Sequence, residues 1–143
     1  MKLTIGKEQI LNGLQAVQNV VTSRTTLPIL SNVLLRAKEG TLEMTATDLD
    51  VTVCCAVAAT VQRTGETTVP VKKLFGIARE LAAVELEMEG DEKNGCRIKA
   101  GPSYYRINGL AAEEFPPLAQ FAESRQLSLP QAKLKGMLRR TSF

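Results

Sequence analysis

KLTIGKEQILNGL (residues 2–14) and QLSLPQAKLKGML (residues 126–138) carry one pattern twice, at a constant offset of 124. Leu127 falls on Leu3, Leu129 on Ile5, Leu134 on Ile10 and Leu138 on Leu14. Each copy opens with a short alternation of polar and apolar residues, which predicts a strand. Each then passes a joint, Gly6 or Pro130, into apolar residues spaced three and four apart, which predicts an amphipathic helix. Pro70 marks a third such joint. Proline fits there because the first N–H of a helix has no intrahelical acceptor. A repeat of this length means that a module begins again. The expected organisation is a first domain over residues 1–122. Residues 123–143 are then a linker and the first strand and helix of a second domain, cut short at Phe143.

Between the copies the chain spells strand-helix-strand-strand-strand twice. Lys2–Ile5 leads into a helix whose stripe runs through Ile10, Leu14, Val17 and Val21. After the loop VTSRTT and Leu27-Pro28-Ile29, strands are predicted at Asn32–Ala37, Thr41–Thr45 and Asp50–Val57, with a polar loop at Gln62–Glu66. The second unit has a short strand at Thr67–Val69 and a helical stripe through Val71, Leu74, Phe75, Ala78 and Leu81. Its last strands are Val84–Met88, Cys96–Lys99 and Ser103–Asn108. EEFPPLAQFAESR reads as a linker through its prolines and polar tail. The fold class is therefore α+β: two βαβββ units, each placing a helix on antiparallel sheet.

Composition narrows the chemistry. No stretch approaches the roughly 20 apolar residues of a membrane span, and MKLTIGKEQ lacks the apolar core of a secretion signal. Cys54, Cys55 and Cys96 are odd in number and form no C-x-x-C pair, which suggests buried thiols in a reducing cytoplasm. Without histidine, the commonest general base and metal ligand is missing. No cofactor is expected, and no metal. Glu85, Glu87 and Glu89 alternate along a strand and so point together to solvent. Asp48 and Asp50 sit at a turn with no third ligand. Tyrosine and phenylalanine are too few for an ordinary aromatic platform for single strands.

Charge is unevenly spread. Lys7–Val21 is neutral, Val71–Leu81 carries +2 and Gln131–Phe143 carries +4, in a chain of net +3, so strands and loops together carry −3. Ordinary solvated helix faces would look much the same. Lys72 and Arg79, seven apart on one flank of the second helix, are nonetheless the candidate phosphate contacts, with Lys135 and Arg139 on the third. On Ser103–Asn108, alternation puts Tyr105 and Ile107 on one face, where core packing is the default.

TTLPILSNVLLRA with GTLEMTATDLDVTV, TTVPVKKLFGIAREL and INGLAAEEFPPL together resemble the bacterial DNA sliding clamps, the beta subunits of DNA polymerase III. The resemblance runs in order over residues 1–143. It implies the clamp fold, with three such domains per subunit and two subunits joined head to tail around double-stranded DNA. It further implies a non-catalytic processivity factor in the cytoplasm that serves the polymerase III core and clamp loader through domains not contained here. By the same resemblance Arg24, otherwise a solvated loop arginine, matches a DNA-touching arginine at the inner rim. Tyr105 and Ile107, with Lys73, fall where the neighbouring subunit attaches. Two other readings compete: a small non-specific nucleic-acid-binding module using the basic third helix, and an enzyme domain using Asp48 and Asp50.

Overall fold

A computed structural model of the chain describes residues 1–21, 27–117 and 128–142. The elements follow in the order β1 (Lys2–Gly6), α1 (Lys7–Val17), a 3-10 turn (Pro28–Ser31), β2 (Asn32–Lys38), β3 (Thr41–Thr47), β4 (Thr52–Ala58), β5 (Thr60–Arg63) and β6 (Gly65–Pro70). Then come α2 (Val71–Glu80), β7 (Glu85–Gly90), β8 (Gly95–Ala100), β9 (Ser103–Asn108), a second 3-10 turn (Ala112–Glu114) and α3 (Gln131–Thr141). Two antiparallel sheets result, one ordered β5-β1-β7-β8-β9 and the other β4-β3-β2-β6.

The strand periods place the core. Leu3 and Ile5 of β1, Leu86 and Met88 of β7, and Cys96 and Ile98 of β8 turn inward and are buried. They meet Val33, Leu35, Leu42 and Met44 from the other sheet and Ile10, Leu14, Val17, Leu74 and Ala78 from α1 and α2 in one cluster. Burying a leucine or isoleucine side chain contributes about 1.5–3 kcal/mol, and this cluster is where most such side chains lie. α1 packs on β3 and β4 and against α2. Gly13 makes the approach close: a Cβ there would lie 2.4 Å from the Met44 methyl.

A second, smaller cluster lies under the 3-10 turns. Ile29, Leu30, Leu34 and Phe115 are buried together, so the 3-10 turn at Pro28–Ser31 and EEFPP, far apart in sequence, share one patch. The segment that reads as a linker is therefore packed over its first part, because Phe115 is apolar and finds a pocket. Thr68, fully buried on β6, ties this region down. Its hydroxyl accepts from Asn32 Nδ2 (3.0 Å) and Leu110 N–H (3.1 Å) and donates to Leu110 O (2.7 Å).

Three further differences from the sequence reading have local causes. α1 stops at Val17, and Val21 reaches the core from a turn; asparagine and paired valines are poor helix formers. The polar loop at Gln62–Glu66 is instead the end of β5 and the start of β6, separated by Thr64 alone. β5 continues β4 across Ala59 and pairs with β1, so one run of chain edges both sheets. Its single apolar residue, Val61, is too little alternation to notice. Finally, Ser128 and Leu129, the described part of the strand expected at Gln126–Leu129, are not in a strand.

The thiols also differ from expectation. Cys96 is buried, Cys55 is half-buried and Cys54 is exposed on edge strand β4. Burial, with Asp91 nearby, pushes the Cys96 thiol up to about 12, so it is inert as a nucleophile. A maleimide added to the native chain is expected to label Cys54 first. Cys96 should react only after denaturation, which mass spectrometry of the labelled peptides would check.

Candidate nucleic-acid and subunit surfaces

α2 buries Val71, Leu74 and Ala78 and leaves Lys72, Lys73, Arg79 and Glu80 exposed. Lys72 and Arg79 are two turns apart on one flank, about 10 Å along the axis at 1.5 Å per residue. Arg79 Nε lies 3.0 Å from Glu80 Oε1, with both side chains more than two-thirds exposed. Such a pair is weak in water and leaves the other guanidinium N–H groups for a phosphate. The α1 cation is committed elsewhere: Lys7 Nζ donates to Leu81 O at the end of α2, a favourable place for positive charge. α3 presents Lys133, Lys135, Arg139 and Arg140, all exposed, beside the equally exposed Leu134, Met137 and Leu138. Arg24 lies outside the described residues.

Among the described residues β9 is an outer strand of its sheet, bonded on one side to β8. Tyr104 is 62% and Tyr105 37% exposed. Ile107, by contrast, is 4% exposed and belongs to the main core, opposite Cys96. Tyr105, opposite the buried Ile98, shares the inward face with Ile107 as alternation predicts, but it remains partly exposed while Ile107 is core. Lys73 is exposed on α2.

The acidic motifs are structural. Asp48 Oδ1 accepts the N–H groups of Asp50 (3.1 Å) and Val51 (2.7 Å), closing the β3–β4 turn around Leu49 at φ 83°. A carboxylate spent on backbone donors in this way is an Asx turn. Glu85 and Glu87 are exposed, and Glu89 stands between Arg63 and Arg97 at 3.6 and 3.7 Å. Among the described residues no group of three or more acidic or cysteine side chains converges to hold a metal, and no helix is long and apolar enough to cross a membrane.

Residues 1–119 match the family model for the DNA polymerase III beta subunit, N-terminal domain. The chain belongs to the DNA polymerase III beta subunit family. Across its whole length this family member is 36% identical to a protein named beta sliding clamp in Escherichia coli strain K12, covering 39% of that protein. It superposes on the crystal structure of the DNA polymerase III subunit beta from Pseudomonas aeruginosa with a TM-score of 0.91 and 36% identity. That match covers 98% of this chain and 38% of the other. The Bacillus subtilis DNA polymerase sliding clamp gives a TM-score of 0.93 at 28% identity, over 99% and 39%. The chain thus spans about two-fifths of the length of these relatives. The mixed α+β fold is that of the sliding clamps.

Lys2, Arg63, Arg97 and Arg106 stand in a row across the outer face of the five-stranded sheet. Lys2, Arg97 and Arg106 alternate with apolar neighbours on their strands, but Arg63 falls in a stretch that reads as a polar loop, and only the register aligns the four.

Proposed function

We propose that this chain is the N-terminal part of a processivity clamp, a ring that encircles double-stranded DNA and tethers the replicative polymerase without catalysing any step itself. Family membership supports the reading, and the observation that carries it is the exposed cationic flank of α2. Lys72 and Arg79 project away from the buried Val71, Leu74 and Ala78. Contacts of this kind to phosphates are independent of sequence and weaken with salt. A ring needs no more, since topology rather than affinity retains it. The tethered polymerase gains effective concentration at the primer end. Lys135 and Arg139 of α3, and Arg24, are assigned the same role.

The module restart near residue 126 is supported by burial. Leu134 and Leu138 are 43% and 59% exposed, whereas their counterparts Ile10 and Leu14 are fully buried. The α3 face therefore has the apolar character of the α1 face without its cover, and we assign residues 123–143 to a second domain. Tyr105 on the open edge of β9, with Lys73, is assigned to the head-to-tail subunit contact, since an unpaired edge can extend a partner's sheet. Ile107 holds that strand from beneath. Polymerase core and clamp loader are bound through further domains, and the setting is the cytoplasm.

In a polypeptide of its relatives' full length, retention on circular duplex with release on linearisation is the expected result. Lys72→Glu with Arg79→Glu should reduce the loaded fraction several-fold and flatten its salt dependence. The 143-residue chain alone is expected to bind short duplex with a dissociation constant of about 10⁻⁴ M or weaker at physiological salt. Tight, saturable binding by the short chain would instead favour a small nucleic-acid-binding module built on α3.

A further inference from the structure

The dipeptide Asn-Gly occurs three times, at Asn12-Gly13, Asn94-Gly95 and Asn108-Gly109. An asparagine before glycine is prone to lose its side-chain amide, because glycine has no Cβ to hinder attack by its own nitrogen. In that reaction the glycine N–H is deprotonated and its nitrogen attacks asparagine Cγ. The new C–N bond forms, the Cγ–Nδ2 bond breaks, and ammonia leaves with the proton. Water then opens the cyclic imide at either carbonyl. The products are aspartate and isoaspartate, whose main chain runs through the side-chain methylene.

The fold holds all three glycine N–H groups, each in a different way. Gly13 lies inside α1, where its N–H belongs to the hydrogen-bond ladder of the helix. Gly109 N–H donates to Asn94 O at 2.8 Å. Gly95 N–H donates to a side chain, Asp91 Oδ1, at 2.8 Å. The same oxygen accepts Lys93 N–H at 3.0 Å, and Asp91 Oδ2 accepts from Arg106 Nη2 at 3.2 Å. The Gly95 bond above all, with Lys93 N–H and the Arg106 guanidinium, holds the Asp91 carboxyl below the usual carboxylate range. Asp91 is therefore ionised at neutral pH, and an amide anion on Gly95 beside that charge is disfavoured.

Shape explains why the hazardous pair stands here. A Cβ on residue 95 would lie 2.7 Å from Asp91 Oδ2 and 3.1 Å from Arg106 Nε, so the carboxylate needs glycine to come this close. Asn94 sits at φ 56°, in the left-handed region that asparagine tolerates better than most residues. Gly95 also faces Asn108 across the β8–β9 ladder, so two of the three pairs share one corner.

We propose that Asn94-Gly95 is a deamidation site kept shut by Asp91, and that its conversion to isoaspartate opens the neighbouring pair, Asn108-Gly109. In isoaspartate the carbonyl that holds Gly109 N–H leaves the main chain as a free carboxylate, and β8 no longer fixes its position. Gly109 N–H is then released next to Asn108. The contacts of Leu110 with the Thr68 hydroxyl, one residue further on, lose their anchor. Refolding does not reverse the change, so it marks chains in which the β7–β8 turn has once opened.

The test is incubation of the 143-residue chain at mildly alkaline pH, followed by peptide mass spectrometry that separates aspartate from isoaspartate. Asn94 is expected to convert at least about tenfold more slowly in the folded chain than in urea. Asp91→Ala should accelerate Asn94 in the folded chain roughly ten- to a hundred-fold, leave Asn12 unchanged, and let Asn108 follow after a lag. Adding Asn94→Gly, which keeps the carbonyl and removes the reacting side chain, should return Asn108 to its parent rate. Thermal unfolding monitors the fold of each variant. Asp91→Asn, which keeps an acceptor oxygen without the charge, serves where the alanine variant melts. Equal Asn94 rates in the folded chain and in urea would overturn the proposal, as would a folded Asp91 variant with no acceleration. Acceleration of all three pairs together in Asp91→Asn would also overturn it, since general loosening would then be the cause. Conversion of Asn108 ahead of Asn94 would remove the link between the two pairs.

Discussion

Ile107→Asp is expected to abolish cooperative unfolding, leaving a chain without a native baseline in a thermal melt followed by circular dichroism. Ile107 is 4% exposed and sits opposite the fully buried Cys96. Truncating a buried isoleucine costs about 2–5 kcal/mol, and an unpaired buried carboxylate adds several more. Together these approach the roughly 5–15 kcal/mol that holds a typical domain folded. The comparison that isolates the subunit contact is Tyr105→Asp. Tyr105 is 37% exposed on an open edge, so this variant should melt within a few degrees of the parent. In a full-length polypeptide it should dissociate the ring in sedimentation. A well-folded Ile107→Asp chain would show that the β9 side of the core is not closed as described.

Gly109→Ala is expected to destabilise the chain by about 3 kcal/mol, read as a fall in urea midpoint with little change in the slope of the transition. A Cβ on residue 109 would lie 1.6 Å from the Thr68 carbonyl oxygen and 2.9 Å from that of Asn94. Both obstacles are backbone, so no side chain can rotate aside. The segment after β9 would have to lift. That would break the Gly109 N–H bond to Asn94 O (2.8 Å) and the paired contacts between Leu110 and the Thr68 hydroxyl. Thr68→Val, which keeps the shape and removes the hydroxyl, should reproduce part of the loss without the clash. An alanine variant as stable as the parent would mean that this segment is free to move off β6.

Local patterns made most of the elements legible. Leu3 and Ile5, or Leu86 and Met88, can alternate with polar neighbours only on a strand with one dry face. Ile10, Leu14 and Val17, or Val71, Leu74 and Ala78, meet only on a helix. These periods are properties of the chain's own geometry, so they survive without knowledge of any neighbour. The cationic flank of α2 was legible for the same reason. β5 was not, because Val61 is its one apolar residue and its place is set by β1. Phe115 looked like part of a linker because its partners, Ile29 and Leu30, come from more than 80 residues earlier.

By itself, then, the sequence determined the α+β class, the paired βαβββ units, the recurrence at residues 126–138 and the bare cations of the helices. Only the tertiary structure decided that β9 and β4 are outer strands among the described residues, that Ile107 is core while Tyr105 is partly exposed, that Gly109 crosses over Thr68, and that four cations from four strands stand in one row. The physical reason is the range of the forces involved. Backbone geometry repeats every two or 3.6 residues and is written locally. Strand order, register and close approach depend on which distant segments meet, and that is settled by burying all the apolar faces at once.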